Sequence, residues 1–151
     1  MKRFAVVFLI MFSQISFASS IDCMVVGATD SRINNRPFIR FEFSNACKID
    51  FNIYPGDLPW GSPASVLLEA KVLNGKGATL NRLGPLYGST SPEMELKQGK
   101  TMQGYVDMPG WFDGFTAAND ENDIAVSWQY FMPPYLGGDT RTGEVLFHRV
   151  K

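Results

Sequence analysis

The sequence predicts an all-β fold, an antiparallel sandwich of about seven or eight strands. Three observations lead there. Apolar and polar residues alternate through 38–44, 101–108 and 124–131, the period-two pattern of strands with one buried face. Turn residues separate these runs at Asn45-Ala46-Cys47-Lys48, Asn74-Gly75-Lys76-Gly77, Lys97-Gln98-Gly99-Lys100 and Gly137-Gly138. No stretch sustains the helical period of apolar residues, and no internal repeat or low-complexity run occurs.

The chain begins with a segment that does not belong to that fold. Lys2 and Arg3 precede a nine-residue apolar run, 4–12, and Ser16-Phe17-Ala18 supplies small residues for a peptidase. That order is the signature of a secretory signal peptide. The run is too short for a membrane span, which needs about 20 apolar residues. Residues 1–18 are therefore expected to be removed, leaving 19–151 as one domain with no membrane span. The mature protein is expected in the periplasm or outside the cell. There the only two cysteines, Cys23 and Cys47, read as a structural disulfide. Closing such a loop contributes roughly 3 kcal/mol in the chain-entropy account.

Each strand has its own rationale. Residues 23–26 form an apolar start beside the first cysteine. In 38–44, Ile39, Phe41 and Phe43 share one side, with Arg40, Glu42 and Ser44 on the other. The alternation resumes with Ile49, Phe51 and Ile53 inward, so these two segments are expected to pair as a hairpin. Val66 to Leu73 fits helix or strand. Asn74-Gly75, which supplies the positive-φ residues of a tight hairpin, favours a strand that returns through 78–83. Met102, Gly104, Val106 and Met108 alternate with polar residues. Ile124 to Phe131 is β-branched and aromatic, the strongest strand signal in the chain. Pro133-Pro134 ends it, and 144–150 closes the fold with Val145 and Phe147 on one face. The expected core includes Phe41, Phe43, Phe51, Val126 and Trp128.

Composition narrows the chemistry. With 45% hydrophobic and 19% charged residues the chain is globular, not disordered. A net charge of −1 does not supply the basic surface that nucleic-acid binding uses to release counterions. His148 is the sole histidine, so a Ser-His-Asp triad would have to use it, and no Gly-x-Ser-x-Gly elbow presents a serine. Asn119-Asp120-Glu121-Asn122-Asp123 concentrates oxygen atoms of the kind that hold calcium, but lacks the glycine and distal glutamate of an EF-hand loop. A solvated turn is the expectation there. No catalytic residue, metal or cofactor is expected, and the chain reads as a non-enzyme.

A family resemblance runs through about residues 38–131. It rests on Phe41-Glu42-Phe43-Ser44-Asn45, on Ile49-Asp50-Phe51-Asn52-Ile53-Tyr54, and on the loop Leu58-Pro59-Trp60-Gly61-Ser62-Pro63. Asn74-Gly75, Leu83-Gly84-Pro85, Leu96-Lys97-Gln98-Gly99-Lys100-Thr101 and Val106-Asp107-Met108 complete it. In this order they resemble the immunoglobulin-like domain found beside deuterolysin-type metallopeptidases. The resemblance implies an immunoglobulin-like sandwich serving as a propeptide or accessory module without catalytic zinc. No His-Glu-x-x-His motif of a peptidase half occurs in the chain.

Aromatic loops are the richest functional signal. Residues 54–60, 108–115 and 130–135 place large rings in turns set by proline and glycine, and tryptophan and tyrosine are the residues enriched at binding hot spots. Trp60, Trp111, Phe112 and Tyr135 are the candidate binding residues. The same rings could instead plug an open end of the sandwich. The expected function is an exported binding module that recognises a protein partner, as an inhibitor or accessory protein does. The alternative is a carbohydrate-binding module that stacks sugars on these rings.

Overall fold

A computed structural model describes residues 22–74, 76–84 and 91–150. The expected signal segment and Gly75 of the expected hairpin lie outside the described residues. In chain order the strands are β1 (Met24–Ile33), β2 (Arg36–Asn45), β3 (Phe51–Ile53), β4 (Val66–Val72), β5 (Met94–Leu96), β6 (Thr101–Asp107), β7 (Ile124–Phe131) and β8 (Thr140–Phe147). Two short helices, α1 (Met108–Trp111) and α2 (Phe115–Glu121), separate β6 from β7. All pairings are antiparallel, in sheets ordered β1-β2-β6, β4-β7-β8 and the small pair β3-β5.

The two larger sheets face each other through their aromatic residues. Phe41 of β2 meets Trp128 of β7 edge to face at 5.5 Å, and Phe43 meets Tyr130 the same way at 6.0 Å. Such pairs add stabilisation beyond the area they bury. Ile39, Val106, Leu68, Val126 and Val145 fill the space around them. At one end α2 packs Phe115 against Phe147 of β8, with ring centres 5.2 Å apart. The fold is thus the expected sandwich, and all five expected core residues are buried.

Local pairing departs from expectation in four places. β2 does not form a hairpin with β3. Its partners are β1 and β6, while β3 pairs with β5. The hairpin lies earlier, where Asn34 and Asn35 stand at φ 51° and 63° in a two-residue turn between Ile33 and Arg36. Asparagine tolerates this left-handed region better than other side-chain-bearing residues. β1 is accordingly longer than the apolar 23–26 segment. Much of its outer half is polar because it is an edge strand, and that hid it.

The second departure is at Ile49, expected inward and 60% exposed. Asn45 explains it. This buried side chain donates to the carbonyls of Ile49 and Leu96, and its Oδ1 accepts the Cys47 N–H at 2.9 Å. The chain is drawn round the asparagine and regains strand geometry only at Phe51. Third, 78–83 is not a strand. Val72 N–H donates to Ala78 and Leu80 N–H to Ala70, so the segment returns beside β4 as expected but makes only a single bridge there. Fourth, the oxygen-rich run at 119–123 is a helix end and not a turn, with Asp120 and Glu121 exposed as expected. Asn119 ends inside α2, buried, accepting from Arg32 at 2.6 Å and donating to the carbonyls of Phe147 and His148.

Cys23 and Cys47 form the expected disulfide, with Cα atoms 4.9 Å apart. It joins the open ends of the β1–β2 hairpin, where Ala46 N–H also donates to Cys23 at 3.0 Å. Replacing both cysteines by serine should lower stability by about 2–4 kcal/mol, read from denaturant midpoints. Phe41→Ala should lower it by about 3–5 kcal/mol by opening a cavity, while Arg40→Ala on the opposite face changes it little. Equal effects at 40 and 41 would contradict the facing of β2.

Candidate functional site

The loop carrying Trp60 is fixed from below. Pro55-Gly56-Asp57 makes one 3-10 turn, closed by Leu58 N–H to the Pro55 carbonyl at 3.2 Å. Leu58 is buried in the core. Tyr130, inside the sandwich, donates its hydroxyl to the Asp57 carbonyl at 2.8 Å, and Ser65 donates to Gly56 and Ser62. Chain folds so tightly here that a Cβ at Gly61 would collide with the Pro55 carbonyl oxygen. These constraints lay the Trp60 indole on the backbone of β6. At Gly104 a Cβ would fall within that ring, so glycine is what lets the ring approach.

Trp111 reaches the same place from α1. Pro109 starts this helix and Trp111 ends it, only 7% exposed. Its carbonyl accepts Leu83 N–H at 2.8 Å, and the Arg82 guanidinium lies 4.8 Å from its ring centre. That is a cation–π distance. Between the two tryptophans is a pocket of about 250 Å³, walled also by Pro59, Pro63, Tyr105 and Asp107. The Asp107 carboxylate is already neutralised at its edge. Arg36 holds it in a two-pronged pair, Nε to Oδ1 at 2.6 Å, the planar fork that suits guanidinium and carboxylate.

The four candidate residues therefore separate. Trp60 and Trp111 share one pocket. Phe112 is 1% exposed and stacks on Phe115 inside the core, behind the pocket wall. Tyr135 is 39% exposed and packs edge to face on Tyr54. Its hydroxyl donates to Asp57 Oδ2 at 2.8 Å, and it is not part of the pocket lining. Sequence reasoning missed Tyr105, Asp107 and Arg82 as neighbours of the tryptophans. The available signal was Gly104: an isolated glycine inside a strand pattern marks a close approach.

Two other places have polar groups. A wider, open hollow of about 610 Å³ lies on the outer face of β4-β7-β8, where Glu69, Ser127 and Glu144 stand in one row across the strands. At the end of β8, Asp123 accepts the Arg149 N–H at 2.8 Å and approaches His148 Nδ1 at 3.4 Å. The backbone bond to Arg149, helped by His148, holds the Asp123 carboxyl below its usual range. The arrangement is a clip that fastens the chain terminus beside α2.

Comparison with protein-family models and with curated proteins finds no match for this chain. The site stands on its geometry.

Burial, and then the bond to Asp57, push the Tyr135 hydroxyl up to about 12. The folded state therefore holds this proton more tightly than the unfolded chain, whose tyrosines titrate near pH 10. The resulting stabilisation is complete below about pH 10 and lost as pH rises through about 12. Ultraviolet titration should find a tyrosine transition near pH 12, and Tyr135→Phe should remove it.

Proposed function

We propose that this chain is an exported, non-enzymatic binding module that recognises a polypeptide partner through the pocket between Trp60 and Trp111. The pocket carries the reading. Two indoles, two prolines and a tyrosine ring line a concave pocket of mixed polarity, with one carboxylate already paired to Arg36. Surfaces of this kind concentrate binding energy, because large rings offer contact area with few rotatable bonds. The loop under Trp60 is held by Tyr130, Ser65 and the Pro55 turn, so little order has to be gained on binding.

Export draws support from the N-terminal signal pattern and from the Cys23–Cys47 disulfide, a bond favoured in oxidising compartments. Among the described residues no helix is long and apolar enough to cross a membrane. An accessory or inhibitor-like role fits a rigid scaffold that presents a shaped loop cluster.

Trp60 and Trp111 have different work in this reading. Trp111 is nearly enclosed and stacked under Arg82, so it braces the pocket. Trp60 is half-buried and lines the pocket. Trp60→Ala should weaken partner binding by about 2 kcal/mol or more, with the protein still folded by near-ultraviolet dichroism. Trp111→Ala should lower the melting midpoint as well as binding. Exposed His148→Ala should change neither. Titrations of a captured partner and thermal melts on the three variants test this. Unaltered binding by Trp60→Ala would remove the pocket from the function, and a Trp60-dependent signal confined to a glycan array would replace the polypeptide by a carbohydrate.

A further inference from the structure

β6 is an edge strand whose outward backbone groups run along the pocket. Asn45 N–H donates to the Lys100 carbonyl at 2.9 Å, so Asn45 and Lys100 are a hydrogen-bonded pair. Alternation then makes Phe43/Met102, Phe41/Gly104 and Ile39/Val106 the pairs that exchange bonds between β2 and β6. The residues between them, Gln103 and Tyr105, direct N–H and C=O away from β2. Among the described residues no strand pairs with that side of β6, and no backbone group bonds either residue there. Tyr105 and Asp107 are at the same time walls of the tryptophan pocket.

The other edges of the two larger sheets are guarded. β4 is covered by 78–80, which takes Val72 N–H and returns Leu80 N–H to Ala70. β1 carries Asp30 and Arg32, and β8 carries Arg141 and Glu144. β6 has no lysine, arginine, proline or glutamate, and its one charge, Asp107, is neutralised by Arg36. Charges and prolines are the usual defences against strand pairing. Their absence marks an edge open to pairing.

One charge beside the pocket is unspent. Arg82 is exposed, touches the Trp111 ring and reaches the Pro63 carbonyl at 3.4 Å. Both are pocket walls. Among the described residues no carboxylate pairs with it. The pocket therefore offers an open positive charge next to a ring-lined cleft and a row of backbone donors and acceptors.

We infer that the partner binds as an extended peptide segment that adds to the free edge of β6, seats an apolar side chain between Trp60 and Trp111, and sets an internal Asp or Glu side chain against Arg82. This rests on the reading of the pocket as the recognition site and names the chemistry of its occupant. Backbone bonds to Gln103 and Tyr105 supply affinity of the kind that operates wherever a peptide extends a sheet, while the pocket and the cation supply specificity. A polysaccharide would use the indoles but has no register of amide donors to match the strand.

The test begins with displayed random peptides of about nine residues, long enough to run the strand, fused at their C-termini so that no free carboxylate is offered. Winners are resynthesised with both ends blocked. They should combine β-branched and aromatic alternation with an Asp or Glu. On binding, hydrogen exchange at the Gln103 and Tyr105 amides should slow. Gln103→Pro deletes an outward N–H without touching the β2 ladder, and should abolish binding. If that variant does not fold, a peptide N-methylated at the residue facing Tyr105 makes the same test and should not bind. Arg82→Glu should weaken acidic peptides by about tenfold or more and favour lysine-bearing ones.

Peptides that depend on Trp60 yet leave the Gln103 and Tyr105 amides unprotected, and that tolerate N-methylation, overturn strand addition while the pocket remains the site. A selection that yields no peptide while acidic oligosaccharides bind overturns it too. Peptide binding that survives Trp60→Ala removes both the inference and the reading beneath it.

Discussion

Two edge-to-face ring pairs, Phe41 on Trp128 and Phe43 on Tyr130, set the distance and alignment of the two main sheets. Much of the remaining structure adapts to them. Trp128 needs room, and Gly143 opposite it on β8 leaves that room: a Cβ there would lie 2.7 Å from the indole. Tyr130 brings a hydroxyl into the interior, and burial drives its ionisation far above the usual range. That hydroxyl must find an acceptor, and it finds the Asp57 carbonyl. The ring that aligns the sheets thereby also anchors the loop that carries Trp60. Core and pocket are one mechanical unit.

Two buried asparagines do for the backbone what the rings do for the side chains. Asn45 gathers Ile49, Leu96 and Cys47 at the end of β2, where the disulfide closes. Asn119 gathers Arg32, Phe147 and His148, tying β1, α2 and the end of β8. In each case the amide bonds carbonyls at a strand end and in the chain beside it. Losing such a partner leaves a buried group unpaired, which costs about 1–3 kcal/mol. Irregular chain at these corners is thus as determined as the strands.

Much of the sandwich was legible in sequence because β2, β6 and β7 alternate between an inner and an outer face, and burial follows that alternation throughout β2 and β6 and from Val126 onward in β7. What was not legible was which strand pairs with which. Period-two patterning marks a buried face, but pairing depends on hydrogen bonds that look alike in every strand. The Asn34-Asn35 turn lacks the glycine that makes such a hairpin conspicuous, and edge strand β1 has little apolar pattern. The short helix α2 hid because its polar run looked like a turn, with Asn119 turned inward and not to solvent. For the site, Trp60 and Trp111 stood out as rings in constrained loops, whereas Tyr105, Asp107 and Arg82 joined them only through long-range packing. Phe112 resembled its neighbours in sequence and is separated from them by one step of the chain into the core.

The β1–β2 hairpin has a further consequence for the order of assembly. Its turn is two residues long and its cysteines are 24 positions apart, so the cross-linked unit is complete once the segment up to Cys47 is available. β7, whose Trp128 and Tyr130 cover Phe41 and Phe43, comes some eighty residues later in the chain. Until β7 docks, a hairpin closed in this way leaves Phe41 and Phe43 uncovered, the kind of surface on which partly folded chains aggregate. Early closure limits how far this segment can wander, but it also holds the sticky face flat and open. Safe folding of the chain therefore turns on how quickly its distal half docks on that face.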